Sequence, residues 1–307
     1  MRVAIAPAGT KTSAATIRWL LKNAARKETE VYAVYRDLAK VPAEFTSHAS
    51  FHAVKGDVED AASLDFAGCD SVLTCTPPSF DGSDPIEKAA LMAENVRSAV
   101  EKAGVKRLML LSSIGAEFSE GVGEIRTNHA AEQALRTTNV PEILFVRCGY
   151  FMENWTVFGS ATLKAQPSPY FESLITPLDW KIPMVAVDDI GSTLATGLTS
   201  GYTPPRKPYV FALHGPTDYA PLDVQAALSE AMGKSVELRP VERDKIRAFY
   251  EALSFPPQAV DLFAEMATSF LPGGIAEPDA PGMEKVDVVR GKTTLDVAMK
   301  AAVDAGL

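Results

Sequence analysis

The residues best suited to chemistry lie in a turn that directly follows the first apolar run of the chain. Residues 3–6 read Val-Ala-Ile-Ala, Gly9 stands in the turn, and a helical pattern starts near Ser13. A buried strand, a tight turn and a helix start bring backbone N–H groups and the positive end of a helix dipole together. In α/β proteins this is the place that holds the pyrophosphate of a dinucleotide. The sequence therefore predicts a nucleotide site here.

The turn departs from the glycine-rich pattern that is usual at such a site. Aligned without gaps, Pro7, Thr10 and Ser13 occupy the three glycine positions, and Gly9 is the only glycine of the turn. Proline offers no N–H, and a side chain at the first position limits how closely the backbone and a phosphate approach each other. We therefore expect pyrophosphate binding to be weakened or reshaped.

Two side chains after the glycine can reach phosphate oxygens. Lys11 provides a point charge and Thr12 provides a hydroxyl donor. The alternative is that Thr12 or Ser13 only caps the helix that follows.

Further candidates stand where the next strands end. Arg36 ends the second predicted strand, where an acidic side chain binds the 2′-hydroxyl of NAD and an arginine pairs with the 2′-phosphate of NADP. After a nucleotide-type strand and turn, Arg36 favours NADP over the alternative of a solvated arginine. Asp57 ends the third strand and can accept a hydrogen bond from the adenine amino group. Thr76 and Pro77 follow the fourth strand, beside the expected nicotinamide ribose.

The elements that must position these residues are apolar runs that alternate with helical patterns. The predicted strands cover residues 3–6, 30–36, 51–57, 71–75, 107–112 and 142–147, and the predicted helices among them cover 13–22, 85–103 and 128–138. Repeated βα units of this length predict an α/β fold, with a Rossmann-like doubly wound parallel sheet that binds ligands at the carboxyl ends of its strands.

The second half is less regular and predicts a smaller C-terminal α+β substrate domain. It includes a predicted helix over residues 190–199. We expect residues 1–153 to form the dinucleotide-binding domain. Residues 154–307 are expected to form the substrate-binding cap, interleaved with the first domain around residues 183–200.

The fifth strand ends on two serines, Ser112 and Ser113, where short-chain dehydrogenases have a serine that polarises a substrate carbonyl. In those enzymes the serine acts with a Tyr-x-x-x-Lys pair. Residues 124–128, at the nearest register, read Glu-Ile-Arg-Thr-Asn and contain neither partner. Asn128 can still hydrogen-bond a ribose or a substrate carbonyl.

Composition limits the class of protein. The 307 residues are 47% hydrophobic and carry a net charge of −9, which argues against a nucleic-acid partner or an anionic membrane surface. No apolar stretch approaches the roughly 18 residues of a membrane span. Cys75 and Cys148 lie in apolar runs as expected buried thiols, and no cysteine spacing suggests a metal site or a disulfide. The first strand leaves no room for a signal peptide, so we expect a cytoplasmic protein.

Residues 147–155 read Arg-Cys-Gly-Tyr-Phe-Met-Glu-Asn-Trp. The string resembles the Arg-Pro-x-Phe-Phe-Met-Glu-Asn signature of NmrA-like proteins, an atypical branch of the short-chain dehydrogenase superfamily. Further stretches that resemble this family are residues 35–40, 95–107, 111–116 and 183–191. The resemblance covers roughly residues 1–240, and it implies a Rossmann-type domain, a small C-terminal substrate domain and a preference for NADP(H).

The resemblance leaves the activity open. The family contains quinone and imine reductases, isoflavone-reductase-like enzymes and redox-silent NADP sensors. The Lys-Thr-Ser ending of the turn is similar to that of fungal festuclavine and agroclavine dehydrogenases, which reduce an iminium without a Tyr-x-x-x-Lys pair. An iminium carbon is already electrophilic, so a positioned hydride suffices.

We therefore expect an NADPH-dependent reductase of an imine, iminium or enone in a small, apolar secondary metabolite. The alternatives are a non-redox cyclase or isomerase that uses the same pocket, and an NADP(H) sensor that binds a protein partner. The residues expected to hold NADP(H) are Gly9, Thr10, Lys11, Thr12, Arg36, Asp57, Thr76 and Pro77. The expected catalytic residues, which would orient the substrate, are Ser113, Asn128 and Tyr150. The residues expected to form the walls of the substrate pocket are Phe151, Trp155 and Trp180.

Overall fold

The computed structural model describes residues 1–157, 159–165, 167–277 and 279–307, and of residues 24–27 the backbone alone. The strands are β1 (Arg2–Ala6), β2 (Glu30–Tyr35), β3 (Phe51–Lys55), β4 (Ser71–Cys75), β5 (Arg107–Ser113), β6 (Glu142–Cys148), β7 (Tyr150–Phe151), β8 (Tyr170–Ser173), β9 (Ile182–Val185), β10 (Tyr209–His214), β11 (Asp218–Tyr219), β12 (Glu237–Pro240) and β13 (Asp287–Arg290).

The α-helices are α1 (Lys11–Lys27), α2 (Ala43–Thr46), α3 (Pro85–Ala103), α4 (Arg126–Arg136), α5 (Asn154–Val157), α6 (Ser160–Leu163), α7 (Val187–Thr199), α8 (Pro221–Met232), α9 (Ile246–Ala252), α10 (Pro257–Ser269) and α11 (Leu295–Asp304). Short 3-10 turns cover Leu38–Lys40, Ala61–Ser63, Gly123–Ile125 and Arg243–Lys245.

The chain forms two compact units, of which the first comprises residues 1–116, 127–147 and 190–211. Its sheet has the strand order β10-β6-β5-β4-β1-β2-β3. Neighbouring strands from β3 to β5 are parallel, and β1 lies between β2 and β4, with Val3 opposite Val31 on one side and Ser71 on the other. The predicted Rossmann-like α/β fold is confirmed, and its order reverses beside β1, where such sheets bind ligands.

The apolar runs explain the burial of this sheet. All five residues of β4 are buried, as are the last four of β1, as expected for strands that are covered on both faces. Gly191 on α7 lets that helix approach α1 closely, because a methyl group at this position would lie 2.7 Å from atoms of Ala15.

The second unit comprises residues 117–126, 148–189 and 212–307. It contains the small sheet β11-β9-β7 and the parallel pair β8 and β12. One of its aromatic clusters surrounds the buried Tyr250, whose ring contacts Phe249, Phe255 and Phe263. The division at residue 153 into a cofactor and a substrate domain stays a prediction.

Several boundaries differ from the expected ones. Helix α7 begins at Val187 and not at residue 190, because the Glu153 carboxylate accepts the Val187 N–H at 2.9 and 3.1 Å and so supplies a helix start. Helix α4 begins at Arg126, which places Asn128 inside its first turn. Cys75 and Cys148 are free and buried, as predicted.

Two features are absent from the described ranges. In that part of the chain, no helix combines the length and the apolar character needed to cross a membrane. The same residues hold no group of three or more His, Cys, Asp or Glu side chains that could bind a metal ion.

Candidate functional site

A cleft with a volume of about 510 Å³ lies in the first unit at the carboxyl ends of β1 to β4. Its lining includes Gly9 and Thr10 from the turn after β1, Arg36 after β2, Asp57 after β3 and Pro77 after β4. The four strands are adjacent in the sheet, so residues far apart in the sequence meet at this edge. The structure thus brings five of the eight expected cofactor residues into one cleft.

The turn after β1 is held by its own side chains. The Thr10 hydroxyl accepts the Ser13 N–H at 3.1 Å and donates to the Ser13 hydroxyl at 2.8 Å, and the Ser13 hydroxyl donates to the Pro7 carbonyl at 2.8 Å. Thr10 is therefore the residue that caps α1, and the alternative of capping by Thr12 or Ser13 is wrong. Two of the three side chains at glycine positions stabilise the turn.

The backbone of the turn is open toward ligand. Within the part of the chain that the structure describes, the N–H groups of Gly9, Lys11 and Thr12 make no hydrogen bond, and the last two stand at a helix start that has no carbonyl one turn earlier. A methyl group on Gly9 would meet no atom within 4 Å. The residues present therefore fit a phosphate group, which these amides and the helix dipole attract.

The side chains of this helix start differ in access. Lys11 is exposed, whereas Thr12 is 5% exposed and its hydroxyl lies 3.1 Å from that of Thr10. Because Thr12 is buried, its backbone N–H and not its hydroxyl is the better placed donor to a phosphate.

The residue after β3 is held by local hydrogen bonds, whereas a residue after β4 has a hydroxyl that is unpaired in the described part of the chain. One carboxylate oxygen of Asp57 accepts the Glu59 N–H at 3.0 Å, and the Ser63 hydroxyl bonds both the N–H and the carbonyl of Asp57. The Thr76 hydroxyl oxygen is buried and has no partner among the described residues. A buried hydroxyl without a partner is costly, so this atom suits a ligand that supplies one.

Arg36 follows β2 directly and extends along the cleft with 74% of its side chain exposed. Its Nη1 atom lies 3.7 Å from the Glu59 Oε1 atom, and its carbonyl accepts a hydrogen bond from Lys55. An exposed guanidinium with one distant carboxylate partner is free to pair with a phosphate.

The expected catalytic residues of the first unit stand on two elements. Ser113 ends β5, and its hydroxyl donates to the Ile114 carbonyl at 3.0 Å. Asn128 is half-buried in the first turn of α4. The neighbouring His129 bonds the Ala116 carbonyl through Nδ1 at 2.9 Å, which ties this helix to the loop after β5.

A buried ion pair that the sequence analysis did not single out supports this region. The Glu132 carboxylate is fully buried and accepts from Ser112 at 2.7 Å and from Arg147 at 2.9 and 2.7 Å. These contacts join α4 to the ends of β5 and β6. The sequence signal was an acidic residue on the buried face of α4, together with the arginine that opens the NmrA-like string.

The remaining expected residues belong to the second unit. The Tyr150 ring lies 5.5 Å from Trp155 and 5.7 Å from Phe270, and burial raises the pKa of its hydroxyl. The indole N–H of Trp155 points at the Met184 sulfur, and that of Trp180 donates to the Phe270 carbonyl at 2.9 Å. Tyr150, Trp155 and Phe270 thus form one aromatic cluster, and Trp180 is bonded to the backbone of Phe270. Phe151 is half-buried and follows Tyr150 in β7, which turns it to the opposite face.

The acidic residues of the family-like strings have structural partners. Glu153 starts α7, as described above, and the Asp189 carboxylate accepts the Thr293 N–H at 2.8 Å. In the family-like segments 147–155 and 183–191, Glu153 therefore stabilises the start of α7, and Asp189 stabilises the segment after β13.

Comparison with known proteins agrees with this architecture. A family model described as NAD(P)H-binding matches residues 14–169, just over half of the chain. The NAD(P)H azoreductase of Xenophilus azovorans is 25% identical over 261 residues, which are 84% of this chain and 84% of that protein.

Two solved structures show the fold over most of the chain. Triphenylmethane reductase from Citrobacter sp. matches with a TM-score of 0.73 and 21% identity, over 99% of this chain and 100% of that chain, and it has also been solved with NADP(H). Nmra, a negative transcriptional regulator, matches with a TM-score of 0.60 and 18% identity, over 78% of this chain and 74% of that chain. These two matches show the fold and the family model shows an NAD(P)H-binding chain, both as the NmrA-like resemblance implies; the closer similarity to fungal clavine dehydrogenases stays a prediction.

Proposed function

The chain belongs to the NAD(P)H-binding family, and on this premise we propose that it is an NADPH-dependent reductase of a small, largely apolar acceptor with an imine, iminium or enone group. The observation that carries the proposal is the cleft at the strand ends, whose lining contains Arg36 together with Gly9 and Thr10, the two residues directly before the start of α1. When bound, NADPH supplies a hydride.

The cofactor is assigned to the first unit residue by residue. The amides of Gly9, Lys11 and Thr12 bind the pyrophosphate, and the Lys11 ammonium adds a charge at its exposed side. Arg36 pairs with the 2′-phosphate, which selects NADPH over NADH. Asp57 keeps one carboxylate oxygen for the adenine amino group. The buried Thr76 hydroxyl and the adjacent Pro77 lie beside the ribose of the nicotinamide.

The proposed class of hydride acceptor depends on which candidate acid catalysts the sequence contains and which it lacks. No Tyr-x-x-x-Lys pair occupies the expected register, so the substrate carbon must accept a hydride without strong acid catalysis. Ser113 and Asn128 orient the substrate by hydrogen bonds. Tyr150 serves as a hydrogen-bond donor; burial raises the pKa of its hydroxyl, which therefore donates a hydrogen bond but gives up its proton less readily than an exposed tyrosine.

The second unit supplies the aromatic side chains of Trp155 and Trp180, and aromatic rings suit a flat conjugated acceptor. The names of two similar proteins, an azoreductase and a triphenylmethane reductase, support a conjugated acceptor. The three free cysteines fit a reducing, cytoplasmic setting.

Nucleotide binding is the first test. NADPH, NADP and NADH are titrated into the full chain by calorimetry, with the wild type, Arg36→Ala and Arg18→Ala. Arg18 is a matched control because it is an exposed arginine that pairs with Glu44 and does not line the cleft. We expect micromolar NADPH binding that weakens at least about tenfold in Arg36→Ala only, which is about 1.4 kcal/mol.

Imines, enones and conjugated dyes are then screened as substrates, and the loss of NADPH absorbance measures their reduction. Turnover that requires NADPH supports the reductase. Tight NADPH binding without any turnover favours the NADP(H) sensor, and failure of all three nucleotides to bind refutes the reductase and leaves the non-redox cyclase or isomerase.

A further inference from the structure

Three charged side chains continue from Arg36 along the rim of the cleft. Glu59 places its Oε1 atom 3.7 Å from Arg36 Nη1 and its Oε2 atom 2.9 Å from Lys88 Nζ. The Lys88 ammonium also contacts the Asp81 carboxylate. All four residues line the cleft. The result is a row of alternating charges that starts at the expected 2′-phosphate position and ends on the loop after β4.

The row is anchored at Lys88 and open at Arg36. The Lys88 side chain is 12% exposed, that of Glu59 is 35% exposed and that of Arg36 is 74% exposed. Asp81 is fixed in turn, because its carboxylate accepts from the Ser79 hydroxyl at 3.0 Å and from the Ser83 N–H at 3.1 Å. Arg36 is therefore the exposed end of the row, and Lys88 is held between the carboxylates of Glu59 and Asp81.

Glu59 creates an electrostatic problem for a 2′-phosphate. A phosphate monoester that pairs with Arg36 must come close to a carboxylate that lies 3.7 Å from the same guanidinium. Like charges at such distances repel, and partial burial reduces the screening by water. The Lys88 ammonium offsets this repulsion because it holds the second oxygen of the carboxylate. A neutral 2′-hydroxyl has no such requirement.

We propose that Lys88 is a positioning residue for 2′-phosphorylated adenine nucleotides: it neutralises Glu59 and thereby allows Arg36 to accept the phosphate. This inference rests on the proposed cofactor site and deepens it. The discrimination between the two nicotinamide cofactors then depends on the pair Lys88 and Glu59 as well as on Arg36. Lys88 lies near the start of α3, 52 residues after Arg36, which follows β2, so no local motif contains both.

The test uses the full chain and two probes that differ in the 2′-phosphate, adenosine 2′,5′-bisphosphate and AMP, in titration calorimetry. Lys88→Met leaves the Glu59 charge without its ammonium, so we expect bisphosphate binding to weaken at least about tenfold, which is about 1.4 kcal/mol, with AMP affinity unchanged. Adding Glu59→Gln to that variant removes the repelling charge and restores most of the bisphosphate affinity. A purely structural role of Lys88 would not produce this rescue.

Lys106→Met is the matched control, because Lys106 is an exposed lysine that pairs with Asp70 and does not line the cleft. We expect it to leave the ratio of the two affinities unchanged. Equal losses for both probes in Lys88→Met, or a double variant no better than the single one, overturn the inference while NADPH binding by the wild type still supports the cofactor site. If the wild type binds neither NADPH nor the bisphosphate, the proposed function and this inference both fail.

Discussion

The buried ion pair of Glu132 and Arg147 gives a prediction whose size follows from the structure. Glu132→Ala leaves the Arg147 guanidinium, 2% exposed, without the carboxylate that it contacts through two atoms. It also removes the acceptor of the Ser112 hydroxyl. Breaking a buried pair by removing one partner costs about 3–5 kcal/mol. For a unit of this size that loss lowers the melting temperature by about 6–20 °C.

The assay is thermal unfolding monitored by circular dichroism. The matched control is a variant that breaks an exposed ion pair. Glu94→Ala removes a glutamate that pairs with Arg97 at the surface of α3, and such a loss costs less than about 1 kcal/mol. The double variant Glu132→Leu with Arg147→Met removes both charges and should recover part of the stability, although Ser112 still lacks its acceptor. A melting temperature for Glu132→Ala within 2 °C of the Glu94→Ala value, on the order of 1 kcal/mol, would refute the reasoning.

Three further predictions concern the turn, α7 and β10. Gly9→Val should weaken NADPH binding at least about tenfold, because the new side chain enters open space that the phosphate needs. The melting temperature should not change, because the side chain meets no protein atom. Calorimetry measures the affinity, and thermal unfolding measures the stability. Glu153→Ala should destabilise the protein by about 1 kcal/mol, because α7 loses its start at Val187; urea unfolding checks this value. Burial lowers the pKa of the His214 imidazole in the folded protein. As the pH falls below about 6.5, this imidazole binds a proton in the unfolded chain before it does so in the folded protein, so the free energy of unfolding should decrease. The decrease should stop once the pH is below the folded-state pKa. Melts of wild type and His214→Gln across this range test the sign, and parallel curves would contradict it.

The strands and the cofactor turn could be predicted because their signals are local. The run Val-Ala-Ile-Ala before Gly9 is apolar over four consecutive residues, which only a strand covered on both faces requires. Arg36 is one residue beyond the end of β2, so its place at the cleft follows once the strand is identified. The chemistry of phosphate binding at a helix start needs only the order strand, turn and helix.

The roles of individual side chains in the turn could not be predicted. Sequence reasoning left open whether Thr12 or Ser13 caps α1, and the structure assigns the cap to Thr10 through its contact with the Ser13 N–H. The difference is a shift of the helix start to Lys11. Such a shift depends on side-chain rotamers, which a residue pattern does not specify.

What the sequence by itself determined is the α/β fold, the turn between β1 and α1, and the place of Arg36 directly after β2, because each depends on residues that are neighbours along the chain. Only the tertiary structure decided the partners of Glu132, the start of α7 and the charge row that continues from Arg36. The contacts of Glu132 with Arg147, of Glu153 with Val187, and of Glu59 with Arg36 and Lys88 join residues 15 to 34 positions apart. Residues so far apart along the chain become neighbours only when the fold has formed, as at the strand ends where the charge row lies.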